Sequence, residues 1–204
     1  MKSILFPLSL IILVEAFSHI NNLVILKPGA ATPPYAVIGN DRKTHYSSSE
    51  IARGRYLVEL GGCNDCHTPK IFTKNGPVPD TSKLLSGAPE NESVPTIPPD
   101  VLGQRRWGML GTNDGTIFAG PWGVSFASNL TPDSATGIGG WTEKMFVQAL
   151  RTGRYWGNGR PLLPPMPWQG LAKLSDRDIK AIYAYLRSIK PVHNLVHSPI
   201  PPGK

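Results

Sequence analysis

Cysteine is almost absent: the chain has two in 204 residues. That number excludes a disulfide scaffold and a four-cysteine zinc site. Charged residues are scarce at 17%. No block of Lys or Arg stands out: the basic residues are spread singly apart from the pairs Arg42-Lys43 and Arg105-Arg106. The net charge of +7 is therefore diffuse, which speaks against nucleic acid as a partner and suits docking on an acidic protein face. No uninterrupted apolar run reaches the ~20 residues of a membrane-spanning helix. Glycine and proline, by contrast, supply 21 residues each, well above ordinary usage. That much Gly and Pro excludes a short-looped helical bundle, a coiled coil and a multi-span membrane protein. A length of 204 residues fits one domain with an extension.

The N-terminus reads as an address. Met1-Lys2 is a short positive region, and Ile4 to Val14 is apolar apart from Ser9. This matches the apolar stretch of a signal peptide, with Val14-Glu15-Ala16 as the cleavage site. Residues 1–16 are expected to be a signal peptide, or an uncleaved anchor, since apolar residues resume at Ile20 and from Leu23 to Leu26. Residues 17–46 read as a linker or arm. The expected domain covers 47–197, with a long loop inserted at 69–128, and 198–204 form a tail.

Three helices are expected. Ser47-x-x-Glu50 is a capping box before Ile51, Gly54, Tyr56, Leu57 and Leu60, and Gly61-Gly62 stops the pattern. Thr142 caps Glu143 to Thr152, with Gly153 beyond the end. Ser175-x-x-Asp178 precedes Ile179, Ile182, Tyr183 and Leu186, which share one helix face, and Pro191 follows. No strand pair is evident. The expectation is an all-α domain whose core needs a large prosthetic group to fill it.

Cys63-Asn64-Asp65-Cys66-His67 says which group. C-x-x-C-H is the covalent attachment sequence of haem c. Two thiols three residues apart can reach both vinyl groups of one porphyrin, and the next residue, His67, faces the iron. Zinc needs further ligands, yet the nearest His pair with suitable spacing, His193 and His197, lies far along the chain. A thioredoxin-like dithiol needs a βαβ context that is missing here, and a disulfide closing so short a loop stabilises little. The sixth iron ligand could be Met109, Met145 or Met166, with His45, His193 and His197 as the other choices. Met166 is favoured: in Leu-Leu-Pro-Pro-Met-Pro-Trp the prolines stiffen the backbone around a thioether. Trp168 is the indole expected nearest the haem. Arg151, Arg154 and Arg160 are candidate partners for its propionates. His67 needs an acceptor for its Nδ1–H, expected in the loop from Pro69 to Pro79. Asn129, Thr131 and Asp133 read as turn chemistry.

At these residues the chain resembles the class I c-type cytochromes. More narrowly, it resembles the monohaem cytochromes and cytochrome domains that serve bacterial periplasmic dehydrogenases, such as the cytochrome subunits of alcohol dehydrogenases. The resemblance is carried by Arg53-Gly54-x-Tyr56-Leu57, Gly62-Cys63-x-x-Cys66-His67-Thr68, Asn129-Leu130-Thr131-Pro132-Asp133, Thr136-Gly137-Ile138-Gly139-x-Trp141, Gly159-Arg160-Pro161-Leu162 and Met166-Pro167-Trp168. It implies a cytochrome c fold in which the first helix crosses the last, with Gly54 at the close approach and Tyr56 and Tyr183 or Leu186 packed there. It implies a periplasmic electron carrier, soluble or membrane-tethered, rather than an enzyme. Such a carrier would pass electrons from a dehydrogenase to a terminal oxidase or cytochrome complex, with His67 and Met166 on the iron. The alternative is a haem enzyme or ligand sensor whose sixth iron site is open.

Overall fold

A computed structural model describes residues 45–97, 101–102 and 106–202. The expected signal peptide, and the arm up to residue 44, lie outside the described residues. The described residues all fall in one unit, Gly39–Lys204.

Helix α1, Ser48–Leu60, starts where the capping box puts it. The Glu50 amide donates to Ser47 Oγ at 3.2 Å, and the Ser47 amide donates back to the Glu50 carboxylate at 2.9 Å. Gly61 closes the helix through its N–H to Leu57 O, and Gly62, at φ +66°, turns the chain into the short helix α2, Cys63–His67. Helix α3, Glu143–Thr152, is capped by Thr142 and ends on Gly153 in the left-handed region. A short helix α4, Trp168–Leu171, precedes α5, Asp176–Ser188, which Ser175 caps.

α1 packs across α5, and the reason lies in two small residues. Gly54 meets Ala181 so closely that a Cβ on Gly54 would stand 1.9 Å from the Ala181 carbonyl oxygen. Around this contact Leu57, Val58, Ile179, Ile182, Tyr183 and Leu186 form the main core with Ile138, Trp141, Phe146 and Leu150. Each such apolar side chain contributes about 1.5–3 kcal/mol on burial. Tyr183 is buried whole. Its hydroxyl donates to Trp141 O at 2.5 Å, which satisfies the polar tip. Tyr56 does not join the crossing. It is 53% exposed, with the Arg53 guanidinium over its ring.

The all-α expectation is wrong. The described chain also holds two antiparallel sheets, both in the segment read as an inserted loop. Strands β1, Lys70–Thr73, and β2, Gly76–Pro79, pair from Lys70↔Pro79 to Thr73↔Gly76. Strands β3, Leu110–Gly111, β4, Ile117–Gly120, and β5, Gly123–Phe126, form a sheet in that order. These strands have two to four residues, too few for a period of two to show, and Pro77 and Pro79 interrupt β2. Tertiary cover then decides the outcome: β4 and β5 bury Ile117, Ala119, Val124 and Phe126 in a second small core with Ala88. Ile200 of the tail pairs with Val124 on the outer edge of β5. Among the described residues, no helix is long and apolar enough to cross a membrane.

Candidate haem site

Cys63 and Cys66 sit three apart on α2, so both thiols lie on one face of a single helical turn. They are not bonded to each other. Burial pushes the Cys63 thiol up to about 11 and raises that of Cys66. A redox-active dithiol needs the opposite, a thiolate stabilised near neutrality. Among the described residues, no group of three or more His, Cys, Asp or Glu stands together as metal ligands. The zinc reading therefore finds no donor set here.

His67 is buried, and its Nδ1 lies 2.7 Å from the Ser128 carbonyl oxygen. A carbonyl only accepts, so Nδ1 carries the proton and Nε2 keeps its lone pair. Burial lowers the imidazole below its ordinary value, so the ring is neutral. No described residue bonds to Nε2. The side chain is thus a fixed, neutral donor with one free lone pair, which is what a metal ligand requires. The acceptor lies far from the Pro69–Pro79 loop where it was expected. Nothing in the side chain of Ser128 could have signalled it, because the group that acts is a main-chain carbonyl.

Main-chain bonds lay two remote segments against the motif. Thr68, fully buried, donates from Oγ1 to Asn64 Oδ1 at 2.9 Å and accepts from the Leu85 amide at 2.9 Å. The Gly87 amide donates to His67 O at 2.8 Å, Ala88 to Ala127 O, and Leu130 to Leu85 O. Gly87 has φ +82°, and a Cβ there would meet Ala127 O at 2.4 Å, so only glycine fits between the two segments. Leu85 is itself held at φ +57° while fully buried, a strained position for a bulky residue.

Met166 is partly buried against the main core, and so is Cys63. Its loop is held at one end by the Leu162 amide, which donates to Gly153 O at 2.8 Å. It is held at Pro164 by Ser125 Oγ, which donates to the carbonyl at 2.6 Å. Trp168 lays its ring over Gly153, where a Cβ would stand 2.3 Å from Cε2. Its packing partner in the structure is therefore the end of α3. The other methionines lie elsewhere: Met109 is 43% exposed, and Met145 sits on α3 against the core. Of the histidines, His193 is an exposed neighbour of Asp133, and the His197 ring lies against Phe126.

The arginines separate clearly. Arg151 is engaged by Ala172 O and Asp176. Arg154 donates to Gly159 O. Arg160 lies over the Tyr155 ring at 4.9 Å and donates only to Pro161 O. Desolvation lowers its pKa, and no carboxylate among the described residues pairs with it. Asn129, Thr131 and Asp133 act as turn and clasp residues. Asn129 Nδ2 donates to Val192 O, and Asp133 Oδ1 accepts from the Thr136 amide.

The donor set suits covalent haem c: two thiols on one turn, an oriented imidazole with a free Nε2, and a thioether against the same core. No family-wide sequence pattern matches the chain. Individual relatives do. Over 162 residues, 79% of the chain, it is 29% identical to the gluconate 2-dehydrogenase cytochrome c subunit of Pantoea cypripedii. Over 143 residues, 70% of the chain, it is 31% identical to the alcohol dehydrogenase (quinone) cytochrome c subunit of Gluconobacter oxydans. Over 145 residues it is 30% identical to a diheme cytochrome c-type protein of Cereibacter sphaeroides. The chain spans 27%, 22% and 36% of the length of these relatives. Over most of its length the chain is homologous to the cytochrome c subunits of bacterial dehydrogenases.

Proposed function

We propose that this chain is an exported, periplasmic one-electron carrier that holds one haem c and serves as the electron-transfer subunit of a dehydrogenase. The observation that carries the reading is His67 within C-x-x-C-H, buried, neutral and oriented by Ser128 O, with Nε2 free. The one motif accounts for both cysteines of the sequence, hence one haem.

The bound haem supplies the ferric/ferrous couple. Cys63 and Cys66 would hold it by thioether bonds, His67 Nε2 would ligate the iron, and Met166 would be its second protein ligand, a pairing that would raise the potential and close the iron to small ligands. The Ser128 carbonyl, by accepting from Nδ1–H, fixes the imidazole plane and strengthens its donation. Arg154 and Arg160, neither paired with a carboxylate among the described residues, are the candidates to meet a propionate.

The β1–β2 hairpin begins three residues after His67. It carries Ile71 at 51%, Phe72 at 60% and Val78 at 42% exposure. Ile71 and Val78 pair on one face, with Phe72 opposite Pro77 on the other. A two-stranded hairpin with apolar residues open to water on both faces gains stability from a covering partner. Its place beside the haem motif suits the catalytic subunit of the dehydrogenase as that partner, and a terminal oxidase or a cytochrome complex is the acceptor downstream. The positive charge of the chain would steer the encounter with an acidic face.

The test is an absorption spectrum of the protein matured in a host that attaches haem c, taken oxidised, reduced, and reduced under carbon monoxide. A haem c spectrum indifferent to carbon monoxide is expected. A clear shift would mean an open iron and would replace the carrier with an enzyme or sensor. Electron transfer from the dehydrogenase should also slow as salt rises, and a rate indifferent to ionic strength would remove the steering.

A further inference from the structure

The loop that carries Met166 is poor in hydrogen bonds, because Pro164, Pro165 and Pro167 have no N–H to give. Between Leu162 and Trp168, Met166 N donates locally to Leu163 O at 3.2 Å. Pro167 O accepts from the Gly170 and Leu171 amides as α4 begins, and among the described residues the one further hydrogen bond that ties this stretch to another element is Ser125 Oγ to Pro164 O at 2.6 Å. Ser125 lies in β5, opposite Phe118 of β4, and is 7% exposed. The Trp122 indole N–H donates to the same Oγ at 3.3 Å. The hydroxyl is thus a relay that accepts from Trp122 and donates to Pro164; the Phe118 carbonyl, at 3.4 Å, is the poorer acceptor. An accepting hydroxyl donates more strongly, so the two bonds reinforce each other.

Three residues further along the chain, two beyond the end of β5, stands Ser128, whose carbonyl orients His67. Three residues of extended chain span at most about 10 Å. One short, braced segment therefore governs both the histidine and the methionine loop.

We propose that Ser125 is a positioning residue for the sixth iron ligand. Its hydroxyl, fed by Trp122, holds the Pro164 carbonyl and so keeps the Met166 thioether against the iron. This rests on Met166 being that ligand, and the experiment separates the two claims.

The variants are Ser125→Ala, Ser125→Thr, Trp122→Phe and Met166→Ala, each made in the full haem-loaded protein. The readouts are the far-red methionine–iron charge-transfer band of the ferric protein and its affinity for added imidazole. Losing one such bond should favour displacement of Met166, so Ser125→Ala should bind imidazole about tenfold more tightly with a weakened band. Ser125→Thr, which keeps the hydroxyl, should restore both readouts. Trp122→Phe should shift them the same way by less, and it decides the matter with Ser125→Thr if the alanine variant does not mature. Wild-type behaviour in Ser125→Ala overturns the proposal, as does equal loosening in the alanine and threonine variants. Met166→Ala should abolish the band. If it does not, the ligand assignment fails. If it does while Ser125→Ala stays like wild type, only the role of Ser125 fails.

Discussion

Gly54 is the point at which the fold should fail first. Replacing it by alanine is favourable for an isolated helix, by about 1 kcal/mol. In place, the new Cβ would stand 1.9 Å from Ala181 O, 2.6 Å from the Ala181 carbonyl carbon and 2.8 Å from Tyr185 Cβ. All three atoms are part of α5 or fixed directly to it, so no side-chain rotation relieves the contact. The helices must part by more than an ångström, and Leu57, Val58, Ile182 and Leu186 then lose contact across the crossing. Overpacking of this kind costs ~1–3 kcal/mol and sometimes more. A contact this close to fixed atoms belongs at the upper end of that range, about 3 kcal/mol, so with the propensity gain deducted Gly54→Ala should lose roughly 2 kcal/mol net and lower Tm by about 4–8 °C. The assay is denaturant unfolding of the haem-loaded protein, with a shifted midpoint and an unchanged slope. Gly170→Ala is the control, since a Cβ there meets nothing within 4 Å. Because α1 runs through Gly61-Gly62 straight into Cys63, the yield of attached haem should fall as well. A Gly54→Ala protein as stable as the wild type would refute the account of the crossing.

Thr68→Val keeps the shape of a fully buried side chain but leaves the Leu85 amide and Asn64 Oδ1 without a partner. It should destabilise by about 2–3 kcal/mol in urea unfolding, and a change under about 0.5 kcal/mol would show the bond to be dispensable. Asp178 receives a hydrogen bond from Arg53 at 3.0 Å and another from Ser175, and together they hold its carboxyl below the ordinary value. A group with a depressed folded pKa stabilises above its unfolded value and loses that contribution as pH falls through the folded one. Wild type should therefore exceed Asp178→Asn in stability at neutral pH, and the gap should close on acidification below about pH 4. A gap that stays constant into acid would assign the effect to packing. Gly153→Ala faces φ +65° and the Trp168 ring together, and thermal melts should show a loss of about 1–2 kcal/mol.

The sequence yields its helices through their ends. Ser47, Thr142 and Ser175 cap where their side chains say they should, because a capping hydroxyl acts on a neighbour two or three residues away. The close approach at Gly54 follows instead from the resemblance to the class I c-type cytochromes, which sets the first helix across the last, and the structure has it against Ala181. The strands were not readable. Ile-Phe-Ala-Gly and Gly-Val-Ser-Phe pair across Pro121-Trp122, a link without the Asn-Gly or Asp-Gly signature, and their burial depends on Ala88 and on the distant tail. The C-x-x-C-H motif and the proline-framed Met166 stood out because the side chains themselves carry the chemistry.

What orients those side chains is of another kind. His67 is set by Ser128 O, the end of the motif helix α2 by the Gly87 amide, and the methionine loop through Pro164 O. Every residue offers such main-chain groups, so no residue type announces them. It follows that the stretch of chain from 69 to 128, which looks like an appendage in sequence, is no ornament. It ends in the acceptor for the candidate proximal ligand, and Ser125, three residues earlier, holds the loop of the candidate distal one. Removing it to recover a minimal cytochrome should cost the haem site itself. A shortened chain that still matured with an intact methionine–iron band would show that the two ligands orient themselves without it.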